Sequence, residues 1–241
     1  MESNHIHYNY EKSIERIDKI LDTSDNAYEE RKDIPKRDKL THTNGFYVNP
    51  SALFVDIRDS SSLSSEYRRP KIAKLYRAYI SEVVAIINGN TTCVEINIVG
   101  DGVSGIFNTK TTFDINTLFH TAFSISSLVD ILNCKLQKKD IRPITVGIGI
   151  SDGRALMIKA GYSGSGISDI VWMGDVVNEA SKLADYGNKT YMDHEIMVSK
   201  KIYDDLNDHN QNLLEFNYNR NCYHGNVVNV AMNEWYKENC E

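Results

Sequence analysis

Two aspartates are set where carboxylates do chemistry. Asp56 interrupts the apolar run of LFVDIRDSS, and Asp101 stands between two glycines in INIVGDGVSGIF. Hard oxygen ligands of this kind hold Mg2+ or Mn2+, and two such ions, typically about 3.5–4 Å apart, can serve a displacement at phosphorus. Read literally, GDGVSG also spells the G-x-G-x-x-G of a dinucleotide site. That motif has to open a helix, because its pyrophosphate rests on the helix N-terminus. Here it runs into IFNTKTTFD, whose β-branched and aromatic residues favour a strand. The segment therefore predicts a two-strand turn that carries a carboxylate.

Strand parity supports a shared site. In the first strand Leu53, Val55 and Ile57 alternate with Phe54, Asp56 and Arg58; in the second, Val94, Ile96 and Ile98 alternate with Glu95, Asn97 and, past the strand end, Asp101. Each strand should turn a greasy side to covering helices and an aspartate the other way. Taken singly, Asp56 could cap the following helix and Asp101 could be a plain turn residue. Their order within one fold plan favours the joint use.

The elements that must position them read as follows. Tyr10, Ile14, Ile17 and Leu21 predict a helix over 8–22, and a polar linker covers 23–44. A strand at 52–58 leads to a long helix through SSEYRRPKIAKLYRAYISEVVAIINGN, with Pro70 in its first turn and Gly89 at its end. Strands at 93–99 and 103–107, then a helix over 114–137, come next. PITVGIGISDGRALMIKAGYSG predicts two strands turning at Asp152-Gly153. A short helix at 177–186, a strand at 196–199 and a terminal strand pair over 214–233 complete the chain. GYSGSGISD lacks the G-K-[ST] of a P-loop and is read as a connector. The central order is the α+β, ferredoxin-like βαββαβ plan with a C-terminal extension. Two parts are expected: an N-terminal helix and linker over 1–45, and a main domain over 46–241.

Composition narrows the function classes. The 241 residues carry a formal charge of −6, which argues against an extended surface for nucleic acid polymer. Apolar runs such as VVAII (83–87) are far shorter than the roughly 20 residues that span a bilayer, and the N-terminus is too polar for a signal peptide. No membrane is expected. Cys93, Cys134, Cys222 and Cys240 are widely spaced, which indicates neither a zinc site nor a disulfide framework and makes a reducing cytoplasm the simplest location. The seven histidines show no ligand spacing. Arg68, Arg69, Lys71, Lys74 and Arg77 read as a solvated helix face.

LFVDIRDSS, INIVGDGVSGIF and WMGDVVNEASKLADYG, in that order over about 46–190, resemble the class III nucleotidyl cyclases. TNGFYVNPSALFVDIRDSS, KLYRAYISE and GRALMIKAG look most like the pyrimidine cyclases of bacterial Pycsar antiphage systems. The resemblance implies that Asp56 and Asp101 bind two divalent cations, Mn2+ or Mg2+, with the Ile57 carbonyl as a further ligand. It implies that Asn178 orients the ribose. Lys182 stands where most relatives have the arginine that stabilises the reacting phosphorus, and it keeps the charge without the bidentate fork. Asp59 stands where many relatives have glycine. Arg220 lies near the position of a phosphate-binding lysine.

Purine cyclases read the base with a lysine or glutamate at the position of Asn97 and a partner at that of Val171; neither purine pair is present. A pyrimidine triphosphate, UTP or CTP, is the implied substrate. Asn97 can donate and accept to a base edge but cannot alone tell uracil from cytosine. Tyr47 is a candidate to stack on the base, or equally a core tyrosine. The resemblance also implies a head-to-tail homodimer, and a cyclic UMP (or cyclic CMP) product read by a separate effector protein in antiviral defence. A catalytically inactive, nucleotide-binding sensor of the same fold is the rival from another class.

Overall fold

A computed structural model describes residues 2–240. In chain order, helix α1 (Tyr10–Leu21) is capped by Asn9 and leads to strands β1 (Tyr28–Glu30), β2 (Gly45–Val48) and β3 (Ser51–Ile57). Helices α2 (Ser60–Glu66) and α3 (Arg69–Gly89) follow, then β4 (Cys93–Val99), β5 (Gly102–Phe107) and α4 (Thr112–Gln137). Strands β6 (Val146–Asp152), β7 (Ala155–Tyr162) and β8 (Ile167–Met173) precede α5 (Asp175–Tyr186). The chain continues through β9 (Ile196–Val198), α6 (Lys200–Asp205), α7 (Asp208–Gln211), β10 (Glu215–Asn217), β11 (Cys222–Gly225) and α8 (Val230–Cys240).

These elements form two compact units. One comprises the residues up to Pro50 together with Gly153–Val177. Its sheet runs β1-β2-β7-β8, around a small core of Leu40, Phe46, Val48 and Met157. The segment 23–44, expected to be a bare linker, supplies β1 as well as Ile34 and Leu40 of that core. GYSGSGISD is not a connector throughout: it turns β7 into β8, and its last residues begin β8.

The second unit comprises Ser51–Asp152 and Asn178–Glu241. Its sheet runs β10-β11-β9-β6-β3-β5-β4. Within it β6-β3-β5-β4 are antiparallel neighbours, the 4-1-3-2 order of the expected βαββαβ plan. Leu53, Val55, Ile57 and Val103 on one face pack with Leu75, Tyr79, Val83 and Ile87 of α3 and with Leu118, Phe119 and Ile125 of α4. Among the described residues α4 has the length and apolar content to cross a bilayer, more than the run at 83–87 suggested, and most of it is buried inside the protein.

On the sheet's other face, α5 lies directly over β6. Ala180, Leu183 and Ala184 recur at helical spacing and are buried, and the two alanines allow a close approach. The strand meets them with glycine. A Cβ on Gly149 would sit 2.1 Å from the Ala180 carbonyl oxygen, and one on Gly147 would sit 2.0 Å from that of Ala184. The alternation VGIGI is thus a helix seat cut into the strand.

Several expectations change. The strands on either side of Asp152-Gly153 do not form a hairpin; β6 and β7 belong to different sheets. The long helix is two, since the chain breaks between Glu66 and Arg69. The terminal strand pair ends at Gly225, and a helix follows. A bulge between Cys93 and Glu95 and a place at the sheet edge leave Val94 and Ile98 exposed, so β4 lacks the covered greasy side that parity suggested. Cys134 and Cys240 form a disulfide, so wide spacing was no guide to pairing, and it gives no ground for a reducing location. The two cysteines lie 106 residues apart, and the fold of α8 along α4 brings them together.

Candidate active site

β3 runs between β5 and β6, and Asp56 is its penultimate residue. Asp101 sits in the turn from β4 to β5, and each flanking glycine has a job. Gly100 takes φ +64°, a left-handed conformation that suits glycine. At Gly102 a Cβ would come 3.3 Å from the Val99 carbonyl oxygen, a tight approach to backbone, and 3.5 Å from Asp56 Oδ1, an ordinary contact.

The fold brings the two acids close enough for each carboxylate to feel the other. Partial burial, and then the charge and contact of Asp101, push the Asp56 carboxyl above the usual carboxylate range, against the opposing pull of Arg58. Asp101 Oδ2 is buried with no hydrogen-bond partner. An orphaned carboxylate oxygen beside a second carboxylate is a costly arrangement for protein atoms alone, and it is the donor set a divalent cation takes.

Phe54, Asp56, Val99, Gly102 and Ser104 from the sheet, with Ser181, Ala184 and Asp185 from α5, line a cleft of about 380 Å³. Arg58 fixes its end: Nη1 donates to the Asp185 carbonyl at 2.6 Å, and Nη2 lies 3.5 Å from Asp56 Oδ2. Its role was not evident from the sequence, although its i+2 spacing from Asp56 put both on one strand face. Asp59 opens α2 at φ +51°, the conformation glycine adopts freely and aspartate tolerates.

The other sequence candidates fall out as follows. Ile57 ends β3, buried. Asn97 lies opposite Ser104, on the strand face that carries Asp56, and its Nδ2 donates to Glu95 Oε1 at 3.0 Å. Asn178 and Lys182 are exposed on α5, and neither lines the cleft that holds Asp56. Tyr47 belongs to the other unit, in β2, with the Arg154 guanidinium 3.9 Å from its ring centroid. Arg220 is already committed, donating to both oxygens of Asp193 at 3.1 and 2.8 Å, so it is not a free substitute for a phosphate-binding lysine.

A family model described as the adenylate and guanylate cyclase catalytic domain matches residues 46–221. The chain belongs to this cyclase family. A uridylate cyclase of Gulbenkiania mobilis is 42% identical, over 99% of this chain and all of that protein. A uridylate cyclase of Treponema porcinum is 37% identical, over 95% of this chain and 80% of that one. Among solved structures, the guanylyl cyclase Cya2 superposes with a TM-score of 0.60 at 19% identity, over 72% of this chain and 83% of that one. A class III adenylyl cyclase-like ATP-binding protein from Pseudomonas aeruginosa gives 0.69 at 14% identity, over 94% of this chain and half of that one.

The cyclase also has a cluster that no sequence spacing betrayed. His194, Glu215 and His224 bring their donor atoms within 4.8 Å of one another, the composition of a His2Glu zinc site. Their hydrogen bonds argue otherwise. His224 Nδ1 accepts from the His194 backbone N–H at 3.1 Å and faces Asn217 Nδ2 at 3.3 Å. Asn217 cannot flip, because its Oδ1 accepts from the backbone N–H groups of Asn219 and Arg220. His224 Nδ1 is therefore bare, and Nε2 carries the proton and points at Glu215. Asn226 imposes the same tautomer on His194, with Oδ1 tied to the Glu195 N–H and Nδ2 facing His194 Nδ1. Two N–H groups converge on one carboxylate, which is a clamp between β11 and the loop before β9.

Burial and the nearby His194 hold the His224 pKa below its ordinary value. The folded state then binds fewer protons than the unfolded chain, so this contribution to stability is complete above a pH of about 6.5 and drains away as pH falls below it. Thermal unfolding followed between about pH 7 and pH 5 should show a falling midpoint, with a shallower slope in His224→Gln. Equal slopes would show that His224 is not the source of the loss.

Proposed function

We propose that this chain is a uridylate cyclase, closing UTP to 3′,5′-cyclic UMP with release of pyrophosphate, with the activity in residues 46–241. The observation that carries the reading is the Asp56–Asp101 pair with its unpartnered buried oxygen, of which Asp56 lines a cleft wide enough for part of a nucleotide. The names of the two relatives at 42% and 37% identity support uracil as the base. Asn97 fits either pyrimidine: with one Nδ2 hydrogen given to Glu95, its Oδ1 can accept the N3–H of uracil. Cytosine offers its amino group to the same acceptor, and CTP is the second candidate.

Asp56, Asp101 and the Ile57 carbonyl would hold the divalent cations, Mn2+ or Mg2+, whose charge favours the ionised ribose 3′-hydroxyl and offsets that of the departing pyrophosphate. In the reaction the 3′-oxygen gives its proton to solvent water and bonds to the α-phosphorus, and the bond from that phosphorus to the bridging β-oxygen breaks, its electron pair leaving with pyrophosphate. Asn178 would hold the ribose so that the 3′-oxygen lies in line. Lys182 would face the α-phosphate as its charge grows. Both lie outside the cleft that Asp56 lines in their own chain, which supports a head-to-tail homodimer in which each copy completes the other's site. The cyclic product would serve as a messenger for a separate effector in antiviral defence.

The test is turnover of each of the four ribonucleoside triphosphates by the purified chain with Mn2+, reading cyclic monophosphate and pyrophosphate. UTP should be preferred. A clear preference for ATP or GTP would overturn the reading of Asn97 and Val171. Binding of a triphosphate without turnover would replace the enzyme by a sensor.

A further inference from the structure

Lysine at position 182 leaves a physical problem. Its ammonium is a point charge on a flexible stem, without the planar fork that lets arginine grip a phosphate in one orientation. No hydrogen bond or ion pair among the described residues restrains it. What does approach it is an aromatic ring one helical turn on: Lys182 Nζ lies 5.7 Å from the ring centroid of Tyr186.

That ring is itself held. The Arg220 guanidinium stacks on it with Cζ 4.3 Å from the centroid. Arg220 is fixed in turn by its two bonds to Asp193, whose side chain is only 2% exposed and also accepts from Thr190 Oγ1 at 2.7 Å and Asn217 Nδ2 at 3.1 Å. A third cation, Lys189, lies 5.9 Å from the centroid. Two of the three cations have carboxylates: Arg220 has Asp193, and Lys189 has Asp185. The charge of Lys182 is the one left uncompensated. Its looser contact restrains the stem and leaves the ammonium hydrogens open to a ligand.

We propose that Tyr186 is a positioning residue for Lys182. The ring, braced by Arg220 and Asp193, holds the ammonium where the growing charge on the α-phosphate needs it, and so makes up for the missing guanidinium fork. This inference rests on the uridylate cyclase reading, and in particular on Lys182 facing the reacting phosphate.

The experiment is steady-state UTP turnover by the full chain with Mn2+, comparing Tyr186→Phe, Tyr186→Leu, and Tyr186→Leu combined with Lys182→Arg. The phenylalanine variant keeps the aromatic face and should stay within about twofold of wild type. The leucine variant should lose about tenfold in kcat, with KM changed less than about threefold, because the contact acts in the transition state. Adding Lys182→Arg to the leucine variant should restore most of that loss, since a guanidinium needs less guidance. If Tyr186→Leu does not fold, as judged by its thermal midpoint, Arg220→Met removes the brace and should give the same split of kcat from KM. Unchanged kcat in the leucine variant, or an equal loss in the phenylalanine variant, overturns the inference while UTP turnover by wild type keeps the cyclase reading standing. A wild-type chain that turns over no triphosphate overturns that reading first, and this inference with it.

Discussion

Asp101→Asn should lower UTP turnover by at least about a thousandfold while leaving the protein as stable as wild type, or more so. The two expectations have one cause. Asp101 stands beside a second carboxylate with one oxygen buried and unpartnered, so a neutral isostere takes no hydrogen bond from that oxygen and eases Asp56. Replacing one acid by its neutral isostere relieves the repulsion that pushes Asp56 upward, and in the same stroke removes half of the anionic set for divalent cations. Turnover assays paired with thermal unfolding make the check. Activity within tenfold of wild type, or a midpoint lowered by many degrees, would mean that Asp101 is an ordinary structural turn residue.

Gly149→Ala carries the second large effect, this time on the fold. The added methyl meets backbone, the Ala180 carbonyl oxygen at 2.1 Å and the Ala184 nitrogen at 2.3 Å, so no side chain can swing aside and α5 has to lift. A cost of about 3 kcal/mol or more is expected, at the upper end for overpacking. Turnover should fall too, since Ser181, Ala184 and Asp185 of that helix form one wall of the cleft. Gly89→Ala is the control: nothing lies within 4 Å of its new Cβ, and it should be neutral or slightly stabilising. Denaturant unfolding of the two variants against wild type decides the matter, and similar midpoints for both would refute the seating of α5 on β6.

The sequence carried the parts of this fold that obey local rules. The alternation in LFVDIR and the GDG turn placed both acids correctly, because parity in a central strand and positive φ at a turn are imposed by neighbouring residues. The glycines of VGIGI were visible too, though their meaning depended on which helix would cross them. What could not be read locally was partnership. Asp152-Gly153 looks like a hairpin turn, yet the strands it joins pair with β3 and β2 in separate sheets. His194 and His224 are thirty residues apart and meet only because β11 pairs with β9. The edge position of β4, which undid its greasy face, is likewise a property of the finished sheet.

The helix that ends the described chain, α8, buries none of its residues. Its hold on α4 comes from the Cys134–Cys240 bond, the Lys135 ammonium over Trp235 and a hydrogen bond from Lys138 Nζ to the Asn239 carbonyl. One of these ties is covalent and open to reduction. A sample purified with thiol and one purified without it would share every residue and differ in whether the C-terminal tail is tied down, so the redox history of a preparation becomes part of its chemical identity.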